Sequence, residues 1–179
     1  MEFKKTNLEG VRLIKLQVFG DQRGFFTETY SKKKFQEAGI EAEFVQDNHS
    51  KSEKKGVLRG LHFQKPPYEQ AKLVRVVKGS VYDAVVDLRK DSSTFGKWEG
   101  FELSDKNFLM LYIPRGFAHG FCTLEPETEF VYKVDNIYAP ESEGGIIWND
   151  PDLSIDWPTQ KPILSEKDQN WPKLSNFKD

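Results

Sequence analysis

The chain has 179 residues, a length that suits one domain with a sizeable core, and it is read as a single domain over 1–179. Its 26 basic and 28 acidic residues leave a net charge of −2, which excludes the global positive field that draws proteins onto nucleic acid; an anionic ligand must be held by local groups. One cysteine excludes an internal disulfide, and neither a leader-like apolar segment after Met1 nor a run of about 18 apolar residues is present, so a soluble cytoplasmic protein without nucleic-acid or membrane partners is expected.

Along the chain, apolar residues come in short alternating or continuous runs broken by Gly, Pro, Asn and Asp, the signature of strands and turns. Strands are expected over 11–18 and 25–30. The segment 31–38 then reads as a helix, with Ser31 able to cap free amides and Gly39 as terminator. Further strands are expected over 72–77, 81–88, 97–103, 109–113 and 130–134. The first two of these flank Lys78-Gly79-Ser80, where glycine can supply the positive φ of a tight hairpin. Cys122 lies in the apolar run with Gly120 and Phe121 and is expected in the core. The proline-rich tail from Trp157 still carries Trp171, Leu174 and Phe177, so it is expected to pack on the body. Many short strands with few helices predict an all-β fold, two antiparallel sheets closed as a jelly roll with a few short peripheral helices.

Three histidines are candidates for acid–base chemistry near neutral pH. His62 follows Arg59-Gly60-Leu61, and alternation directs it to the same face as Gly60 and Gln64. The residues alone leave it either a hydrogen-bonded core ring or a catalyst. His119, in a turn entering a strand, is equally open; His49, in Asp47-Asn48-His49-Ser50, reads as an exposed loop residue. The stretch Pro114-Arg115-Gly116-Phe117-Ala118-His119 has the PxGxxH form and resembles the second motif of cupins, jelly-roll barrels that often carry a metal. Metal-binding cupins also need an HxH pair in the first motif, and here the second position is Gln64, so no metal centre is expected.

The run Gly56-Val57-Leu58-Arg59-Gly60-Leu61-His62-Phe63-Gln64 resembles the signature of the dTDP-4-dehydrorhamnose 3,5-epimerase family. Other blocks match it in order, among them Phe19-Gly20-Asp21-Gln22-Arg23-Gly24-Phe25-Phe26, Val45-Gln46-Asp47-Asn48-His49-Ser50, Gln70-Ala71-Lys72-Leu73-Val74-Arg75-Val76, Glu129-Phe130-Val131-Tyr132-Lys133 and Leu164-Ser165-Glu166-Lys167-Asp168. The likeness covers nearly the whole chain; Ser93, where the family often has proline, is a departure away from the chemical positions.

The resemblance implies a cofactor-free inversion of the two carbons flanking the ketone of dTDP-4-dehydro-6-deoxyglucose. Such chemistry needs a base, an enolate stabiliser and an acid on the opposite face. It implies His62 as base, Asp168 as the carboxylate orienting it, Lys72 at the enolate oxygen and Tyr132 as proton donor. By residue type alone, Asp168 reads as a solvated tail carboxylate, Lys72 as a surface lysine and Tyr132 as packing. Tyr138 matches an aromatic that stacks on thymine, and Arg23 and Arg59 match pyrophosphate ligands, since guanidinium presents paired donors to phosphate. Glu28, Gln46, Asp47, Asn48, His119, Glu143 and Lys167 fall at positions that contact the activated sugar or its base. The family also implies a homodimer with exchanged N-terminal strands, so that Arg23 and Glu28 act in trans. A single-carbon epimerase of a related keto-sugar, a sugar-binding cupin without catalysis and a metal-dependent dioxygenase are the alternatives.

Overall fold

A computed structural model gives the structure of residues 1–177; the last two positions of the expected 1–179 domain lie outside the described residues. Strands β1 (Glu2–Lys5), β2 (Arg12–Lys15), β3 (Val18–Asp21) and β4 (Gly24–Thr27) precede a short helix α1 (Lys32–Glu37). They are followed by β5 (Gln46–Ser52), β6 (Leu58–Gln64), β7 (Lys72–Lys78), β8 (Ser80–Asp87) and β9 (Trp98–Ser104). Then come β10 (Leu109–Ile113), β11 (Phe117–Thr123), β12 (Thr128–Val134) and β13 (Glu143–Gly145). A six-stranded sheet in the order β1-β2-β10-β7-β12-β5 faces a five-stranded sheet in the order β13-β6-β11-β8-β9, and among the described residues β3 pairs only with β4. The ladders are antiparallel and join strands distant in sequence, which is the jelly roll expected. No helix among the described residues is long and apolar enough to cross a membrane.

Three apolar layers explain why so many strands read as continuous apolar runs. Between the sheets, Val74 and Val76 meet Val81, Val85, Leu111, Phe121 and Phe130. Outside the six-stranded sheet, Leu73, Met110 and Ile14 are covered by Phe35 of α1 and by Ile40. Outside the five-stranded sheet, Leu61, Ala84, Val86 and Cys122 are covered by Ile146, Leu153 and Trp157, with Leu174 and Phe177 packed alongside. Side chains on both faces of β8 and β11 are therefore mostly removed from water, and simple alternation is lost. Cys122 is in this core and the tail packs on the body, both as expected.

Several local expectations are corrected. The segments 72–77 and 81–88 do not form a hairpin: Gly79 has the expected positive φ of 80°, but the turn carries the chain from one sheet to the other. Each strand is apolar on both faces and finds its own neighbours, β10 and β12 for β7, β11 and β9 for β8. The run 11–18 divides into β2 and β3, because the chain leaves the sheet after Lys15 to form the separate hairpin. That hairpin exposes Phe19, Phe25 and Phe26 at 55%, 63% and 69%. His49 lies on the edge strand β5, not in a loop, and remains exposed, with Nε2 3.0 Å from Glu129. Ser31 stands at the N-cap of α1 without a side-chain capping bond.

Candidate active site

A cavity of about 450 Å³ opens between the two sheets, and His62, His119, Lys72, Tyr132, Arg59 and Asp168 line it over a floor of Phe121 and Phe130. The register of β6 against β11 slips by one residue between the pairs Arg59↔Phe121 and His62↔His119. Two side chains three apart would face opposite ways on a regular strand; the extra residue turns both Arg59 and His62 into the cavity. Gly60 makes this fit, since a Cβ there would lie 2.5 Å from the Cα of Gly120. Gln64, at the cupin ligand position, faces inward but is spent on backbone: its amide nitrogen donates to the carbonyls of Tyr68 and Ile137, and its oxygen accepts from Ala139. No group of three His, Cys, Asp or Glu among the described residues is placed to hold a metal.

His62 and Asp168 meet at 2.5 Å, through Nε2 and Oδ1. With the Nε2–H donated to the carboxylate, Nδ1 carries the free lone pair. Asp168 is buried on the tail, and Ser165 Oγ donates to its Oδ2 at 2.8 Å while the Trp171 indole donates to Oδ1 at 3.3 Å. Burial alone would raise its pKa; the hydrogen bonds from His62, Ser165 and Trp171 outweigh that and hold it below the ordinary carboxylate range. Trp171 in turn seats on Gly145, where a Cβ would meet its ring at 2.3 Å.

Facing this pair, β7 and β12 of the other sheet present Lys72 and Tyr132. Lys72 Nζ lies 3.5 Å from the His62 carbonyl oxygen, and burial pulls its pKa down to about 8, opposed by Asp83 and Glu143. Burial raises the Tyr132 pKa, so its phenol keeps the proton a donor needs. His119 lies directly across from His62 in the strand register, and its Nε2 is 2.8 Å from Asp83 Oδ2.

The remaining expected residues fall into three groups. Lys167 lines the cavity and bridges Glu143 at 2.5 Å; the Tyr138 hydroxyl donates to the other Glu143 oxygen at 2.9 Å, so these three cluster at the cavity edge. Gln46 and Asn48 are bonded to each other on β5, on the side that carries the cavity residue Ser50, while Asp47 points to the other face and pairs with Lys133. Arg23 and Glu28 are not brought to the cavity: Arg23 is paired with Asp21 on the exposed hairpin and Glu28 with Lys34. Sequence reasoning missed Asp83, Ser165 and Trp171. For Asp83 a signal existed, a carboxylate at the inward position between Val81 and Val85, where charge is rare unless it has a use.

A sequence model described as dTDP-4-dehydrorhamnose 3,5-epimerase matches residues 5–176. A Shigella flexneri protein named dTDP-4-dehydrorhamnose 3,5-epimerase is 56% identical, over 97% of this chain and 96% of that one. The solved dTDP-4-dehydrorhamnose 3,5-epimerase of Bacillus anthracis, with TDP and PPi bound, superposes with a TM-score of 0.95 at 50% identity, covering 97% of this chain and 99% of that one. A dTDP-6-deoxy-D-glucose-3,5-epimerase of Legionella pneumophila, in complex with dTDP-4-keto-L-rhamnose, gives 0.95 at 44% identity, covering 99% and 94%. Matched over nearly its whole length in both sequence and fold, the chain belongs to the dTDP-4-dehydrorhamnose 3,5-epimerase family.

Proposed function

We propose that this protein epimerises dTDP-4-dehydro-6-deoxyglucose at C3 and C5, giving dTDP-4-dehydro-L-rhamnose, with His62 as the base. The observation that carries the assignment of roles is that His62, bonded to Asp168 of the tail, lines one cavity from one sheet while Lys72 and Tyr132 line it from the facing sheet. A C–H beside the C4 ketone is acidified because its electron pair can delocalise onto the carbonyl oxygen. His62 Nδ1 takes that proton, and the resulting imidazolium is stabilised by Asp168. Lys72 offers its ammonium to the oxygen that becomes negative. Tyr132 then returns a proton to the carbon from the opposite side, which inverts it; the proton on His62 leaves to solvent and the tyrosinate regains one. The ketone itself supplies the acidity, so the chemistry asks for no cofactor.

Arg59 supplies paired donors for the pyrophosphate, Lys167 and Glu143 contact the activated sugar or its base, and Tyr138, held by Glu143, offers a ring for the base. Gln46, Asn48 and His119 line the sugar and nucleotide path, with Asp47 acting through Lys133. Arg23 and Glu28 serve a second subunit in a homodimer that exchanges N-terminal strands. The exposed phenylalanines of the β3–β4 hairpin support that arrangement, because among the described residues its strands join neither large sheet, and apolar rings left that exposed ask for a cover. We place the reaction in the cytoplasm, where the buried thiol of Cys122 remains reduced.

The test is incubation with dTDP-4-dehydro-6-deoxyglucose in D2O, with deuterium followed by NMR. Entry at both C3 and C5 is expected, and His62→Ala should slow it by on the order of 10³-fold. Entry at one carbon alone would replace the reading with a single-site epimerase. Binding without exchange would overturn catalysis altogether.

A further inference from the structure

At the cavity wall, His119 belongs to a second histidine–aspartate pair that the proposed proton transfers do not use. Asp83 lies on β8 at the inward position between Val81 and Val85, with no exposure to water, and opposes Phe121 in the register of β11. Its Oδ2 is 2.8 Å from His119 Nε2, while its Oδ1 is buried without a hydrogen-bond partner among the described residues. A carboxylate half-satisfied inside an apolar layer is costly, and valine at this position would extend the packing of its two neighbours. The group that gains from a negative charge here is Lys72, which lines from β7 the same cavity as His119, the ring bonded to Asp83, and whose charged form Asp83 favours against burial.

We propose that Asp83 is a positioning residue of the reaction: from inside the barrel its carboxylate accepts the Nε2–H of His119 and keeps the Lys72 ammonium charged opposite the substrate ketone. The inference rests on the epimerase reading above. Lys72 is faced by His62 and Arg59 from β6, Asp83 from β8, His119 from β11, Tyr132 from β12, Glu143 from β13, and Lys167 and Asp168 from the tail. Only three of these are carboxylates. Asp168 is engaged by His62, and Glu143 by Lys167 and Tyr138, so Asp83 is the one with a carboxylate oxygen left over. By occupying Nε2, it also leaves Nδ1 of His119 as an acceptor for a sugar hydroxyl.

Asp83→Asn keeps the shape and the acceptor for His119 while removing the charge. Without it, burial acts on Lys72 less opposed and the lysine loses its proton at lower pH. In the variant, the alkaline limb of the kcat profile is expected to move down by about one pH unit or more, with kcat lowered on the order of tenfold above the limb and KM changed less than about threefold. A uniform fall at all pH values without a shifted limb, or an unchanged enzyme, would overturn the proposal. A second measurement needs no variant: the Asp83 carboxyl 13C shift of the intact protein should read as carboxylate from about pH 6 to 9, and a carboxylic-acid value there would also overturn it. If the unaltered protein exchanges neither C3 nor C5 in D2O, the epimerase reading fails instead, while the Asp83 and Lys72 titrations stay readable.

Discussion

The two imidazoles that face each other across β6 and β11 are each tied to an aspartate, His62 to Asp168 at 2.5 Å and His119 to Asp83 at 2.8 Å, yet the aspartates live in opposite circumstances. Asp168 arrives on the tail and is held by three donors, so its pKa falls below the ordinary range. Asp83 is set into a core strand, where burial raises its pKa against the pull of His119 and Lys72. The same pair of residue types thus yields a well-solvated-like anion in one place and a costly one in the other. What differs is the number of donors that the surrounding chain brings to the carboxylate.

The largest test of this contrast is kinetic. Asp168→Asn leaves the ring of His62 without its orienting anion, and kcat should fall on the order of 10³-fold, well beyond the effect of Asp83→Asn. Equal losses in the two variants, measured under one set of conditions, would erase the distinction between the pairs.

Stability should move the opposite way. Asp168, with a lowered folded pKa, contributes stability that is present above the unfolded value near 3.9 and lost as pH falls through the folded value. Asp83, with a raised folded pKa, imposes a penalty that is present at pH above that folded value and relieved on acidification. Near neutral pH, Asp83→Asn should therefore raise the unfolding midpoint and Asp168→Asn lower it, each by about 1 kcal/mol or a few °C in calorimetry. Two shifts of the same sign would contradict the assigned charge environments.

The smallest expected effect comes from the donors themselves. Trp171→Phe removes an indole N–H that reaches Asp168 at 3.3 Å while keeping a ring on Gly145, so about 1 kcal/mol, or roughly a fivefold loss in kcat, is expected. A loss as large as that of Asp168→Asn would show the indole to matter through packing instead.

Much of the fold was legible because burial on both faces writes itself as apolar runs, and 72–77, 109–113 and 130–134 are strands close to the expected limits. Partnership was not legible. Nothing local in Lys78-Gly79-Ser80 distinguishes a hairpin from a crossing between sheets, since the same positive φ serves both. Strand β5 was invisible for a different reason: Gln46–Ser52 is polar throughout, an edge strand whose alternation has no apolar member to reveal it. In the cavity, residue type left His62 open between core ring and catalyst, because a one-residue slip in β6 decides which side chains look inward, and Lys72 stood out only through resemblance to a family. Asp83 could have been noticed as a charge in an apolar stripe. Ser165 and Trp171 could not, because their importance comes from where the tail happens to dock.

That docking has a consequence for when the protein becomes an enzyme. Asp168 follows His62 by 106 residues. A ribosome adds roughly 5–20 residues per second, so the imidazole emerges about 5–20 s before the carboxylate that is to serve it. A growing chain can lay down β6, β11 and the strands around them and still leave His62 unoriented. Under the proposed roles, turnover waits until the segment that carries Asp168 docks on the barrel and brings the carboxylate to His62.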